Sequence, residues 1–142
     1  MDDEECRALL STSKLGVLAL SDQGRAYAIP LYYAFDGEDL WFHCHPGLKD
    51  EYLEKSNEVC LVVIHVGSAN IWESVQVFGT AAKVTLNTDV DTARAALAKV
   101  PFPPAEGNYP RGLPVRSEQD VYYVKLKPRH IEGKKSAFAT PT

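Results

Sequence analysis

The sequence lacks the features that mark several large classes of proteins. Its only cysteines are Cys6, Cys44 and Cys60, an odd number at irregular spacing, so we expect reduced thiols and no disulfide framework. No apolar run approaches the ~20 residues of a membrane-spanning helix. Residues 1–5 are acidic and do not follow the cationic-then-apolar order of a signal peptide. We therefore expect a cytoplasmic protein with no membrane association.

A strong charge of either sign is also missing. The net charge of −4 at pH 7 offers no general attraction to phosphate backbones, so nucleic acid is not an expected partner. No GxGxxG or Walker-type glycine loop occurs, and the strict strand–helix alternation of a Rossmann-type sheet is absent. The residues offer no nucleophile–base–acid triad, which leaves the catalytic residues unknown.

The chain does have enough apolar material for a single domain over residues 1–142. Its 142 residues are 45% hydrophobic, and a chain of this length can bury a hydrophobic core that needs no disulfide or metal to stabilise it. The periodicity predicts a first helix that Asp3 caps and that buries Cys6, Leu9 and Leu10, with further helices at 48–55 and 89–100. Strands are predicted at 16–20, 26–35, 40–44, 59–65, 71–84 and 121–126.

Details of these strands refine the prediction. The continuous apolar run at 59–65 favours burial on both faces, Pro30 favours an edge position or a bulge, and Gly79 favours a bend. Residues 101–114 are predicted to form a loop, and the chain after Leu126 a polar, basic tail. Tight turns between most strands indicate a mainly β fold, a small antiparallel barrel with peripheral helices.

The segment 43–49 is the first candidate site. A strand ends here, the chain turns, and Lys49 falls in the first turn of a helix. Free backbone N–H groups at a helix start, together with an ammonium, suit a phosphate. A solvated surface lysine is the simpler interpretation of this feature taken alone. His43 and His45 share a strand face, but such a pair is weak support for zinc, and no metal site is predicted.

Two strands carry further candidate features. Alternation puts Trp72, Ser74, Gln76 and Phe78 on one face, a mixture of apolar bulk and hydrogen-bonding groups that is typical of ligand walls. An interface or a partly wet strand explains that face equally well. Pro30 cannot donate to a sheet ladder, which frees nearby backbone groups for a planar ligand or marks an ordinary protected edge.

Taken together and in order, these segments resemble the pyridoxamine 5′-phosphate oxidase-like FMN-binding split-barrel family, and within it the subgroup of nitroimidazole-resistance proteins. The resemblance covers most of the chain, and the order and spacing of its pieces carry it. These pieces are LGVLA (15–19), GRAYAIP (24–30), LWFH (40–43) followed by Lys49, NEVC (57–60), SVQVFG (74–79) and IEGK (131–134).

The resemblance implies a six-stranded antiparallel Greek-key split barrel, a homodimer, and one FMN in each of two grooves at the subunit interface. It implies that backbone groups of the second strand meet the isoalloxazine ring, that two residues of the third strand lie along the flavin, that one lysine binds the phosphate, and that the fifth strand adds polar contacts. The residues concerned are, in that order, Ala28, Ile29, Pro30 and Leu31; Phe42 and His43; Lys49; and Ser74 and Val75.

Two departures from the family pattern bear on how the phosphate is bound and on which substrate is expected. Leu48 stands where many members carry an arginine before the phosphate-binding lysine, so phosphate binding rests on Lys49 and backbone donors. The basic substrate-phosphate site of pyridoxamine phosphate oxidases is not evident, since Arg129 and His130 are the only candidates near the C-terminus. Vitamin B6 oxidation is therefore not expected.

The function that the resemblance implies is that of an FMN-dependent oxidoreductase acting on a small molecule, such as a nitroaromatic or quinone-like compound. His43 is a candidate proton donor beside the ring, and residues 101–114 are a candidate cover. Two alternatives remain open. The same fold accommodates F420 or haem, the latter with His43 or His45 as an axial ligand, and a flavin-binding sensor would have no turnover.

Overall fold

A computed structural model describes residues 1–100 and 121–136, so the predicted loop at 101–114 lies outside the described residues. All strand pairs are antiparallel, and the sheet closes into a barrel in the order β1-β2-β3-β6-β5-β4, which confirms the predicted mainly β fold. The elements are α1 (Asp3–Thr12), β1 (Leu15–Asp22), β2 (Arg25–Phe35), β3 (Leu40–Cys44), α2 (Leu48–Lys55), β4 (Glu58–Val66), β5 (Trp72–Lys83), α3 (Asn87–Ala98) and β6 (Tyr122–Lys135), with a 3₁₀ turn at Ser68–Asn70.

Residues in the turns determine the geometry of the β1–β2 and β2–β3 hairpins. Gln23 and Gly24 both adopt positive φ, 47° and 81°, which gives the tight two-residue turn between β1 and β2. In the turn between β2 and β3, the Asp36 carboxylate accepts hydrogen bonds from the Asp39 backbone N–H at 2.7 Å and from Trp41 Nε1 at 2.8 Å. One carboxylate therefore joins the turn to the next strand.

Alternate residues of the strands fill the barrel. α1 closes this core with Cys6, Leu9 and Leu10, as predicted, although the residue that caps it is Asp2 rather than Asp3. The buried Tyr33 hydroxyl donates to the Leu10 carbonyl at 2.8 Å and so joins the helix to the barrel. The buried strand residues of this core include Leu18, Leu20, Phe42, Leu61, Val63, Val75, Val77, Val124 and Leu126.

A smaller cluster holds α3 against the outside of the sheet. Ala93 and Leu97 of α3 pack on Ala34 and Trp41, and Trp41 is 1% exposed. The helix predicted at 89–100 is confirmed, and both of its ends lie two residues earlier, at Asn87 and Ala98. No helix in the part of the chain that the structure describes combines the length and the hydrophobicity needed to cross a membrane.

Two strand predictions were wrong. β4 is not buried on both faces, because its inner residues fill the barrel while Ile64 and Val66 on its other side are 58% and 65% exposed. The continuous apolar run thus reflects two apolar faces, of which the described residues cover one.

The second error concerns the C-terminal segment. It is not a polar tail after Leu126, since β6 continues to Lys135 and pairs with β5 along Glu73–Lys83. Its outward-facing residues are polar, so this part of the sequence has no apolar run that would predict a strand. The register shifts between Phe78 and Gly79, opposite Pro128, which confirms the irregularity predicted at Gly79.

Candidate functional site

The seam between β2 and β3 is short, with three residues paired on each strand. β3 pairs with β2 only between Tyr33–Phe35 and Leu40–Phe42, whereas β1 pairs with β2 along Leu15–Asp22. The other side of residues 25–31 of β2 therefore has no strand partner in the described ranges, and we call this side the open edge. α2 packs beside it, with the rings of Tyr27 and Tyr52 stacked at 5.2 Å.

Four predicted cofactor-binding residues lie along the open edge. Ala28 and Pro30 are exposed, while Ile29 and Leu31 are half-buried against the core. Pro30 pairs with Val17 on its one paired side, which confirms the predicted edge position. Backbone polar groups of this stretch are consequently available to a ligand.

Lys49 is buried, with 6% of its surface exposed, so the interpretation as a solvated surface lysine was wrong. α2 begins just before it, after a turn in which the Asp50 carboxylate accepts from the Gly47 N–H at 3.0 Å. The Lys49 ammonium donates to the His45 carbonyl and lies 5.6 Å from the centre of the Tyr122 ring. Among the residues described, no carboxylate forms an ion pair with it.

A second lysine shares the Tyr122 ring. The ammonium of Lys83, at the end of β5, lies 4.5 Å from the ring centre. The sequence prediction missed both Lys83 and Tyr122, and no local signal marks them, because their contact joins the end of β5 to the start of β6. Lys49, Lys83 and Tyr122 together form what we call the lysine–tyrosine cluster.

The residues around the end of β3 divide between surface and core. His43 is exposed, with its ring 5.7 Å from that of Tyr123 and 5.8 Å from that of His45. Phe42 is fully buried in the core, so only its backbone can approach a ligand. Burial raises the pKa of the Cys44 thiol to about 12, against the lowering charge of Lys49, which keeps it protonated and unsuited to be a nucleophile. No group of three metal-ligating side chains occurs within residues 1–100 and 121–136.

Ser74 and Val75 lie apart from these residues. They belong to β5, and both β4 and β1 stand between that strand and β2. Val75 points into the core with no exposed surface, whereas Ser74 accepts a hydrogen bond from Gln76 Nε2 at 2.7 Å. One chain therefore assembles the predicted site residues into two separate groups.

An apolar outer face connects the two groups. Register places Pro30, Val17, Val62 and Gln76 side by side across β2, β1, β4 and β5. The amide oxygen of Gln76 on this face is buried and has no hydrogen-bond partner in the described part of the chain. The exposed large apolar residues of this face and its margin are Leu15, Val17, Ile64, Val66, Ile71 and Trp72, and we call them the outer apolar face.

Comparisons with known proteins agree with this architecture. A family model described as pyridoxamine 5′-phosphate oxidase matches residues 2–135. An uncharacterized protein of Rhizobium meliloti is 30% identical over 79 residues, which are 56% of this chain and 52% of that protein. The match thus spans about half the length of this relative.

Solved structures show the same fold. An FAD-binding protein from Mesorhizobium loti superposes with a TM-score of 0.78 at 23% identity, over 96% of each chain. A putative 5-nitroimidazole antibiotic resistance protein from Bacteroides thetaiotaomicron superposes with a TM-score of 0.72 at 17% identity, over 94% of this chain and 84% of the other.

Proposed function

Because this chain belongs to the pyridoxamine 5′-phosphate oxidase family, we propose that it binds a flavin along the open edge of β2. The flavin mononucleotide portion, whether as FMN or within a larger flavin, lies between that edge and α2. Lys49 binds its phosphate. The protein then acts as an oxidoreductase on a small acceptor molecule, of which nitroaromatic and quinone-like compounds are the first to test.

The observation that carries this proposal is the burial of Lys49 with no carboxylate partner among the described residues. A buried ammonium whose contacts there are a carbonyl and a ring face is costly unless an anion compensates it. A phosphate at the start of α2 supplies that anion and also accepts from the backbone N–H groups of the first helical turn. The residues present therefore fit the phosphate of a flavin.

The open edge suits the flavin ring in the same way. Its backbone N–H and C=O groups have no strand partner within the described ranges, and the polar rim of an isoalloxazine offers both donors and acceptors. Ile29 and Leu31 add apolar contacts beside these groups. Phe42 and Val75, whose side chains fill the core, contribute through their backbone alone.

A second copy of the chain completes the site in this proposal. The outer apolar face leaves Ile64 and Val66 more than half exposed, which is unfavourable in water. Ser74 lies on the same side of the sheet as Ile64, its cross-strand partner. In this proposal, pairing two such faces brings Ser74 of one chain toward the open edge of the other.

When bound, the flavin supplies the electron-transfer chemistry, and the chain supplies binding, orientation and electrostatics. Lys49 holds the phosphate end, and the open edge fixes the ring. His43 is exposed beside the end of β3, and in this proposal its imidazole moves a proton. Cys44 takes no part, because its thiol stays protonated.

Absorbance of the purified protein after FMN addition and desalting tests the proposal, with retained flavin bands expected near ~370 and ~450 nm. A Soret band would instead favour haem bound through His43 or His45. Lys49→Met removes the charge and keeps the volume, so it should weaken FMN at least about tenfold and leave riboflavin, which has no phosphate, unaffected. The control Lys55→Met changes an exposed lysine of the same helix. Equal loss of FMN and riboflavin would contradict the role of Lys49.

The dimer has its own test. Ile64→Asp puts a charge on the outer apolar face, and we expect it to halve the mass in light scattering and to abolish flavin retention. Leu86→Asp is the control, since Leu86 is 64% exposed but lies at the start of α3. A dimer that survives Ile64→Asp would contradict the proposed interface.

A further inference from the structure

Tyr122 is the aromatic neighbour of the buried Lys49 ammonium. β6 begins at Tyr122, and this residue pairs with Cys44, the last residue of β3, which places it beside the turn from β3 into α2. The Lys49 ammonium donates to the His45 carbonyl and lies 5.6 Å from the centre of the half-buried Tyr122 ring, within reach of a cation–π interaction. A carbonyl oxygen and a ring face therefore hold this ammonium.

Neither of these contacts neutralises the charge of Lys49. A carboxylate in the same place would form an ion pair, and a phosphate would then have to displace that carboxylate. The face of an aromatic ring attracts a cation through its quadrupole but carries no net charge. The ring of Tyr122 therefore offsets part of the cost of burying the ammonium and leaves its charge available to a ligand.

The contact depends on the ring of Tyr122 and not on its hydroxyl group. The hydroxyl is buried and has no hydrogen-bond partner within residues 1–100 and 121–136. Lys49 lies over the ring itself. A phenylalanine at this position would therefore keep the contact with Lys49 and lose no hydrogen bond that the structure describes.

A second cation of the lysine–tyrosine cluster lies against the same ring, in different surroundings. The Lys83 ammonium is 4.5 Å from the ring centre. Lys83 also lines a cleft of about 600 Å³ in which two carboxylates, Asp50 and Glu54, match two lysines, Lys55 and Lys83. Lys49 does not line this cleft, and no described carboxylate pairs with it. Of the two cations on the ring, Lys49 is therefore the one that calls for an anion.

We infer that Tyr122 is a positioning residue for phosphate binding, and that its ring acts through Lys49. This inference rests on the proposed function, in which Lys49 binds the flavin phosphate. The ring holds the ammonium at the start of α2, where backbone N–H groups of the first helical turn face the same phosphate. A flavin without a phosphate gains nothing from this arrangement. Tyr122 therefore contributes to the preference for phosphorylated flavins over riboflavin.

Titration calorimetry of flavin-free protein with FMN and with riboflavin tests the role of the ring. Tyr122→Phe keeps the ring, so its affinity for FMN should stay within about twofold of the wild type. Tyr122→Leu removes the ring and should weaken FMN about fivefold, with riboflavin changed by less than about twofold. Phe35→Leu is the matched control, because it removes a half-buried ring that lies 5.9 Å from the Arg7 guanidinium, and it should affect neither ligand.

Fluorinated phenylalanines at position 122 separate the electrostatic role of the ring from its packing. Fluorine withdraws electron density from the ring face and weakens its attraction for a cation, with little change in shape. Starting from Tyr122→Phe, each added fluorine should weaken FMN binding stepwise and leave riboflavin binding within about twofold. The steps should disappear in the Lys49→Met background and persist in the Lys83→Met background. This series still decides the question if Tyr122→Leu does not fold.

The inference and the proposed function fail in different ways. An equal loss of FMN and riboflavin in Tyr122→Leu would assign the ring a structural role and overturn the inference. FMN binding that does not respond to fluorination, or that responds only while Lys83 is present, would overturn it as well. In each of these cases, FMN binding by the wild type and its loss in Lys49→Met would leave the proposed function standing. If the wild type binds neither flavin, the proposed function falls and the inference falls with it.

Discussion

The barrel contains a long junction between β5 and β6 and a short junction between β2 and β3, and the two have different roles. β5 and β6 pair along Glu73–Lys83, whereas β2 and β3 share only the short seam that begins at Tyr33. The long ladder brings many residues of both strands into the core. Beside α2, the short seam leaves one side of β2 with no strand partner among the described residues, and the candidate site lies there. Stability and ligand access are therefore assigned to different parts of one sheet.

Breaking the long ladder should have the largest effect. A Cβ atom added at Gly79 would lie 2.1 Å from the Lys127 carbonyl oxygen, in the backbone of the facing strand. We expect Gly79→Ala to lower the free energy of unfolding by about 3–5 kcal/mol in urea titrations. Gly67→Ala is the control, because the added atom would meet its nearest neighbour at 3.5 Å. Equal stability of the two variants would show that β5 and β6 can move apart at Gly79 without a loss of stability, which contradicts the prediction.

Removing the hydrogen bonds of the turn between β2 and β3 should have the next largest effect on the free energy of unfolding. Asp36→Ala removes the acceptor for the Glu38 and Asp39 backbone N–H groups and for the Trp41 indole. We expect a loss of about 2–3 kcal/mol, since the partly buried indole N–H keeps no partner. Glu38→Ala, at an exposed position in the same turn, should change the unfolding free energy by less than about 0.5 kcal/mol. An unchanged unfolding midpoint for Asp36→Ala would contradict this anchoring.

A smaller effect is expected inside the seam itself. Tyr33→Phe deletes the buried hydroxyl that donates to the Leu10 carbonyl and keeps the ring in the core. The expected cost is about 1–2 kcal/mol in thermal or urea unfolding. Tyr27→Phe, beside the open edge, keeps its stack on Tyr52 and should cost less. The reverse order would mean that the open edge is the more rigid region.

The smallest effect concerns pH. Partial burial by itself raises the pKa of Asp36, but the hydrogen bonds it accepts and the charge of Lys125 together hold that pKa below its usual value. Its contribution to stability is therefore complete above about pH 5 and declines as the pH falls through the lowered pKa. Burial raises the pKa of Asp39 despite Lys125, so that carboxyl acts in the opposite direction.

The comparison of wild type with Asp36→Asn tests the first of these two carboxyls. Their difference in unfolding free energy should shrink between about pH 6 and pH 3 as Asp36 is protonated in the wild type. The substitution also relieves Asp39, because the charge of Asp36 helps to raise the pKa of that carboxyl. Parallel profiles would contradict the lowered pKa of Asp36.

The seam and its surroundings were also the most predictable part of the fold. The bounds Leu40–Cys44 and Leu48–Lys55 were predicted to the residue, because a turn lies at each of their ends. The second half of β6 was missed, since its pairing depends on a strand more than forty positions away and its outward side chains are polar. The outer side of β4 was predicted to be buried, but Ile64 and Val66 are exposed among the residues that the structure describes.

The candidate site also contains residues that the local sequence predicts and residues that it does not. A helix start following a strand end pointed to Lys49 from local sequence alone, and the structure adds that its ammonium is buried. The inward direction of Phe42 follows from the alternation that it shares with Leu40 and Cys44, and that signal was present in the sequence. The contact of Lys83 with Tyr122 had no such signal, because folding alone brings those two residues together.

The two tryptophans of the chain give each region its own optical reporter. Trp41 is 1% exposed and hydrogen-bonded beside the seam, whereas Trp72 is 41% exposed on the outer apolar face. Iodide should quench the red-shifted emission of Trp72 in an isolated chain and leave the blue-shifted emission of Trp41 intact. Association through the outer face would protect Trp72 alone, and unfolding would expose both. One fluorescence titration therefore distinguishes loss of assembly from loss of structure.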